Sequence, residues 1–188
     1  MSHACESRVL AAIDRLVADY TRHLQDLVRI PSPVGSEGPA QQWVVHRMRR
    51  IGLDVDVFDV DPRALSALPT FNPTPQEYAG RPCVVGLRRG AATGRSLVLN
   101  AHIDTVPVDT ADQWLHPPYA AEIADGRLFG RGACDDKAGI IECLLVADAL
   151  QCAGVTLGGD LRIASVIEDE RTGNGSLACV EQIGRAHV

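Results

Sequence analysis

Apolar residues recur with helical spacing between Ala11 and Ile30, at Ile13, Leu16, Val17, Tyr20, Leu24, Leu27 and Val28. A stripe of that period predicts an amphipathic helix. Pro31-Ser32-Pro33 ends it, because proline lacks the amide donor and crowds the preceding turn. Ser36-Glu37-Gly38-Pro39 opens a second predicted helix, carried through Trp43, Val44, Val45 and Met48 to Ile51, with Gly52 as its C-cap. The period then changes. Leu53, Val55 and Val57 alternate with polar residues, which predicts a strand from Leu53 to Val60. Asp61 to Gly80 holds four prolines, Pro62, Pro69, Pro73 and Pro75, and is expected to be a loop. Pro82 to Leu87 is a further expected strand, and Arg88 to Arg95 a polar turn.

The second half repeats the alternation. Ser96 to Ala101 is an apolar stretch, expected to be a buried strand, that runs into His102-Ile103-Asp104. A loop with Trp114, Pro117 and Pro118 comes next, then an expected hairpin from Glu122 to Phe129 around Asp125-Gly126. Ile140 to Cys152 is apolar nearly all round, the mark of a buried helix. Gly158-Gly159 turns into the strand Leu161 to Ile167, which runs into Glu168-Asp169-Glu170 and Gly173-Asn174-Gly175. Helices alternating with apolar strands predict a layered α/β domain.

Composition narrows the class. The chain has 188 residues, 46% hydrophobic and 22% charged, enough for one sizeable core. Its net charge of −6 argues against nucleic acid and anionic membrane surfaces as partners. No apolar run nears the roughly 20 residues of a membrane span. Met1 to Arg8 is polar and lacks the basic-then-apolar pattern of a signal peptide. The six cysteines (Cys5, Cys83, Cys134, Cys143, Cys152, Cys179) form no CxxC pair, and are expected to be reduced, in a cytoplasmic protein.

Three polar clusters carry the chemistry. His102 and Asp104 follow one apolar strand, and Glu168, Asp169 and Glu170 follow another. Asp135 and Asp136 lie in Gly130-Arg131-Gly132-Ala133-Cys134-Asp135-Asp136-Lys137-Ala138-Gly139, just ahead of the buried helix. Adjacent carboxylates repel and are costly to bury, so they imply a positive partner, either a metal ion or a basic substrate. In open α/β sheets ligands bind outside the carboxyl ends of strands, where two of the clusters fall. A histidine with several carboxylates is a zinc-type hydrolytic donor set.

With those motifs in this order the chain resembles the amino-terminal part of the M20 metallopeptidase family. That family includes acetylornithine deacetylase, succinyl-diaminopimelate desuccinylase, aminoacylases and carboxypeptidase G2-like enzymes. The resemblance rests on Ala101-His102-Ile103-Asp104-Thr105-Val106-Pro107, on Gly130 to Gly139, and on Glu168-Asp169-Glu170-Arg171-Thr172-Gly173-Asn174-Gly175. It implies a three-layer αβα catalytic domain, here incomplete, in which residues 1–182 form the N-terminal part and an inserted dimerisation domain is absent. It implies two divalent metal ions, zinc first, with cobalt or manganese as alternatives. His102, Asp135 and Glu170 would be metal ligands, Asp135 bridging. Asp104 would hydrogen-bond the His102 ring, and the Asp135–Asp136 peptide would be cis. Asp169 stands where the family places its general base, normally a glutamate one methylene longer. A shift that would make Glu168 the base is disfavoured by the register of Gly173-Asn174-Gly175. The implied reaction is hydrolysis of an amide bond in a small N-acyl amino acid or dipeptide by a metal-activated water, in a full-length protein that forms a homodimer. This stretch alone is expected to be poorly active or inactive.

Rival readings are a non-catalytic metal-binding pseudoenzyme and an acidic-cleft binding module without metal. Lys137 is expected to pair with the neighbouring acids, Asp136 and Arg131 to be structural, Cys134 to pack, and His116 to be an ordinary loop histidine. Ile183-Gly184-Arg185-Ala186-His187-Val188 matches one reading frame of a common sequencing adapter. Residues 183–188 are therefore expected to be an artefactual tail, and His187 carries no functional weight.

Overall fold

A computed structural model describes residues 3–185. In chain order the elements are α1 (His3–Val28), α2 (Gly38–Arg50), β1 (Asp54–Phe58), α3 (Pro62–Leu65), β2 (Cys83–Arg88), β3 (Leu97–His102), β4 (Glu122–Ala124), β5 (Arg127–Phe129), α4 (Lys137–Cys152), β6 (Leu161–Val166) and α5 (Asn174–Arg185). Four strands form a mixed sheet in the order β1-β2-β6-β3, and β4 with β5 makes the expected hairpin. β1 and β2 are antiparallel, as are β2 and β6, while β3 runs parallel to β6.

Helices cover both faces of the sheet. A side chain at Gly86 would meet Met48 of α2, whereas Cys83, three residues earlier on β2, points its thiol at the Gly175 carbonyl of α5. Residues an odd number apart on a strand face opposite ways, so α2 and α5 lie on opposite sides. α4 packs on the α2 side: its Ala147 carbonyl accepts from Arg88, and Arg88 shares the parity of Gly86. α1 lies over α4 and is anchored by Tyr20, whose hydroxyl donates to Asp148 at 2.8 Å. The core joins Leu27, Val44, Met48, Val84, Ile103, Ile140, Leu144, Ile163 and Ile167. The α/β layered expectation is met.

Three local expectations change. α1 starts at His3 rather than near Ala11. Its first turns hold helix formers but bury nothing before Ala12, so the apolar stripe marks where burial begins and not where the helix does. The proline loop contains α3, because Asp61 caps it by accepting from the Arg63 and Ala64 amides while Pro62 fills the first turn. β6 is buried at every residue, as its apolar run implies. β3 is an edge strand, and its Leu97 and Val98 are exposed. Its apolar residues match those of a buried strand, but among the described residues only β6 pairs with it.

α5 continues through residues 183–185, the first half of the expected tail. Ala186, His187 and Val188 lie outside the described residues. No helix among the described residues is long and apolar enough to cross a membrane.

Candidate metal centre

The parallel register of β3 and β6 brings two of the polar clusters together. His102 lies opposite Val166, and the Ile103 amide donates to the Val166 carbonyl at 2.9 Å, so the two strands end level. The residues just past each strand emerge side by side. The third cluster arrives from the loop ahead of α4. There Gly132 has φ +75°, and a Cβ on it would overlap the Thr105 methyl. Only glycine lets this loop lie against the Asp104–Thr105 turn.

His102, Asp135 and Glu170 each offer a ligand atom, and these atoms lie within 4.8 Å of one another. The His102 ring is held at both nitrogens. Nδ1 lies 3.0 Å from the Asp104 backbone carbonyl, and Nε2 lies 3.0 Å from Asp135 Oδ1. A carbonyl only accepts, so Nδ1 carries hydrogen. In the neutral ring Nε2 is then a bare lone pair facing a carboxylate oxygen. Two acceptors at that distance need a proton or a cation between them. Burial pulls the His102 pKa down, but the charges of Asp104, Asp135 and Asp169 and the Asp104 carbonyl outweigh it and the net shift is upward.

Asp104 therefore acts differently from expectation. Its backbone carbonyl, not its carboxylate, binds the imidazole, and the nearer carboxylate oxygen stands 3.6 Å from Nδ1. The carboxylate instead accepts from the Asp169 and Glu170 amides at 3.1 and 3.0 Å. It is fully buried, and burial raises its pKa against the pull of those amides and of His102. One residue thus orients His102 through its main chain and the Asp169–Glu170 turn through its side chain. The Glu168 carbonyl completes that turn by accepting from the Thr172 and Gly173 amides at 3.0 Å each.

The three acids after β6 separate by exposure. Asp169 and Glu170 are exposed, while Glu168 is fully buried with φ +63°. Neither Glu168 oxygen makes a well-formed hydrogen bond, and the Tyr78 hydroxyl is its near neighbour. Burial, with Glu168 beside it, pushes the Tyr78 hydroxyl up to about 12. Glu168 thus faces away from solvent, while Asp169 and Glu170 face it.

The Asp135–Asp136 peptide is cis. Asp136 is structural: its Oδ2 accepts from the His102 amide at 3.2 Å. Lys137 does not pair with the acids. It is fully buried, and its Nζ donates to the carbonyls of Leu27 and Ile30 at 3.0 and 2.7 Å. Desolvation lowers its pKa to about 8. The distal part of Lys137 runs inward beneath the loop to the end of α1, where it bonds the Ile30 carbonyl and adds a second donor to the Leu27 carbonyl, which also accepts from the Ile30 amide at 3.2 Å. His116 pairs with Glu122 at 2.9 Å and stacks on Phe129, outside the cluster. Arg131 lies over the Trp114 ring. Cys134 is exposed on a cleft of about 330 Å³ that Asp135 and Glu170 also line, but it is not among the converging donors.

Sequence reasoning missed the buried frame behind the site. Arg81 binds Glu37 through two bonds of 2.7 Å, both side chains buried. Asn174 donates to the Asn72 carbonyl and to the Tyr78 hydroxyl. Ser32 donates to the Ile103 carbonyl, and Thr105 and the 32–34 segment exchange backbone bonds. None of these pairings is local in sequence, so spacing carried no signal for them.

The donor set suits a divalent cation. The site holds an imidazole nitrogen with a fixed tautomer, one carboxylate facing it and a second within reach, and among the described residues neither Asp135 nor Glu170 is ion-paired with a lysine or arginine, although Arg131 lines the same cleft. The side chain of Asp135 is 77% exposed and that of His102 10%, so an ion would meet one preset ligand and one accessible from solvent.

A layered α/β domain with histidine and carboxylates gathered just past the carboxyl ends of two parallel strands belongs to the class of α/β folds that bind ligands at that sheet end. The comparisons sharpen that. Residues 98–188 match the sequence model of peptidase family M20/M25/M40, and the chain belongs to this family. It is 31% identical over 179 residues to N-formyl-4-amino-5-aminomethyl-2-methylpyrimidine deformylase of Halalkalibacterium halodurans, an alignment covering 93% of this chain and 38% of that protein. It is 29% identical to succinyl-diaminopimelate desuccinylase 2 of Shewanella loihica, over 86% of this chain and 38% of the relative. Its fold matches that of the di-peptidase Dug1p from Saccharomyces cerevisiae with a TM-score of 0.76 at 20% identity, over 98% of this chain and 38% of that one. The chain therefore spans roughly two fifths of the length of these relatives.

Proposed function

We propose that this chain carries part of the catalytic centre of a metal-dependent amide hydrolase acting on a small N-acylated amine, N-acyl amino acid or dipeptide. The observation that carries the reading is the Nε2 lone pair of His102 facing Asp135 at 3.0 Å, with a Glu170 oxygen in the same 4.8 Å cluster. Support for an amide bond comes from the relatives, named as a deformylase, a desuccinylase and a di-peptidase. His102, Asp135 and Glu170 would hold the ion, zinc being the best match to imidazole and carboxylate donors, and Asp135 would be shared if a second ion is present. Bound there, the metal would supply Lewis-acid polarisation and a water of lowered pKa.

The remaining roles fall to this chain's own residues. Asp169, exposed and adjacent to Glu170, is the group to accept a proton from the attacking water. Asp104 fixes where Asp169 stands, through the Asp169 and Glu170 amides. It also fixes which nitrogen of His102 faces the cluster. The protein would work in the cytoplasm as a homodimer. A metal-binding protein without catalysis is the second reading, favoured by aspartate at a position where the family resemblance implies glutamate.

In the full-length protein that carries this chain, zinc titration after chelator treatment tests the centre, and a panel of N-formyl, N-acetyl and N-succinyl amino acids tests the reaction. We expect one or two zinc ions to bind wild type and His102→Ala to lose at least one of them. Asp169→Asn should keep zinc binding and abolish hydrolysis, and Asp169→Glu should raise it. Absence of zinc binding by wild type sinks the reading. Zinc binding without hydrolysis by either wild type or Asp169→Glu favours the second reading.

A further inference from the structure

The segment from Leu27 to Val34 joins the end of α1 to the start of α2, and it touches both sources of the proposed ligands. Toward the His102 side, Ser32 donates to the Ile103 carbonyl, the Thr105 amide donates to the Ser32 carbonyl at 2.9 Å, and the Val34 amide donates to the Thr105 carbonyl at 3.3 Å. Toward the Asp135 side, the side-chain tie is Lys137, through its two bonds to Leu27 and Ile30. The Lys137 amide also closes the loop on itself by donating to the Gly132 carbonyl at 3.0 Å. A Cβ at Gly130 would overlap Val28, so the loop lies flat against this segment.

We propose that Lys137 is a positioning residue: an internal strut that pins the Asp135 loop to the segment that also holds the His102 turn, and so fixes the Asp135–His102 separation. The inference rests on the metal reading of the cluster but names a residue outside it. Three features point to a strut rather than a general packing role. Lys137 is the only lysine among 18 basic residues in the chain, the rest being arginine. It is the largest fully buried side chain, and both of its described acceptors are main-chain carbonyls at one helix end. A compact ammonium with three donors fits between two carbonyls converging from one turn, where a planar guanidinium does not. Partners behind metal ligands typically set affinity by about 10- to 100-fold.

Being the sole lysine makes the strut measurable. Among residues 1–188 an amine-reactive reagent can acetylate only Lys137 and a free amino terminus, which serves as the internal reference, and peptide mapping reads Lys137 apart from any other site. In wild type we expect zinc to slow Lys137 acetylation several-fold and leave the amino terminus unchanged, because an ion held by Asp135 keeps the loop down on its strut. Equal rates with and without zinc overturn the inference. In Lys137→Met, which keeps the length and removes the donors, we expect zinc affinity to fall about 10-fold or more under conditions where circular dichroism shows the variant folded. Undiminished affinity in the folded variant overturns the inference and leaves the metal reading intact. Wild type that binds no zinc overturns both.

Discussion

Replacing Asp104 by asparagine separates its main-chain role from its side-chain role. The substitution keeps the backbone carbonyl that accepts from His102 Nδ1, and changes only the carboxylate that accepts from the Asp169 and Glu170 amides. Asparagine has one acceptor oxygen, so one amide bond survives and the other amide meets an NH2 group. A hydrogen bond to a charged acceptor contributes about 1.5–3 kcal/mol, and a stranded buried amide costs about 1–3 kcal/mol more. Against that, removing a fully buried carboxylate recovers part of its desolvation penalty, the same burial that raises the Asp104 pKa. The net loss should be about 2–3 kcal/mol, or roughly 5–10 °C in melting temperature for a chain of this size. Thermal unfolding by circular dichroism in chelator reads the first effect. Zinc affinity reads the second, and should fall about 10- to 100-fold as the Glu170 turn loosens. A melting temperature within roughly 2 °C of wild type, with zinc affinity unchanged, would refute the claim that this carboxylate positions the turn.

Other consequences are more direct. Arg81→Met leaves Glu37 buried without its partner, and urea unfolding should show a loss of about 3–5 kcal/mol. His102 has a raised pKa, so its protonated form is favoured in the folded, metal-free protein; that stability is fully present below the ordinary value of about 6.5 and is lost as pH rises through the folded value. Zinc competes with the same proton, so its affinity should climb with pH across the window that opens at about 6.5, and calorimetry at a series of pH values reads the slope. Cys134→Ser should leave zinc affinity unchanged within about twofold, a change below roughly 0.5 kcal/mol; a larger drop would make Cys134 a ligand after all.

How much of this could be read from the sequence depends on whether a feature is local. Helical and strand periods placed α2, α4, β2 and β6, because burial on a regular element repeats at the element's own period. The site motifs were legible for a related reason. His102 ends one apolar strand and Glu170 lies just past another, and parallel strands with level ends deliver such residues to one place. Where the chain departs from expectation, the deciding partner is distant. Lys137 is next to two acids, yet it reaches Leu27 and Ile30, 110 and 107 residues away. Nothing near it in sequence says that the end of α1 packs there. The same holds for Arg81 with Glu37, and for Asp104, whose two functions are visible only once the Glu168–Glu170 turn is folded against it.

These distant pairings share a physical cause. A cluster that gathers Asp135, Asp169 and Glu170 beside Asp104 repels itself, and neither β3 nor β6 can hold such residues in place beyond its own end. The restraint comes from groups one layer back, Asp104 and Lys137 buried and Asp136 half-buried. Asp104 ties the turn after β6 to the turn after β3, Asp136 ties the loop before α4 to His102, and Lys137 ties that loop to the end of α1. Each tie uses a charged side chain against main-chain amides or carbonyls, which is a stronger bond than a neutral pair and leaves no side-chain partner to drift. The proposed carboxylate ligands can therefore stay exposed and mutually repulsive, in an arrangement that a cation would relieve, while the groups that hold them there are wholly or partly buried and hydrogen-bonded to backbone. Remove a buried tie and the repulsion is free to open the cluster; remove a ligand and the frame remains. Metal affinity should thus be more sensitive than fold to Lys137, and fold as sensitive as metal affinity to Asp104, which anchors two turns at once.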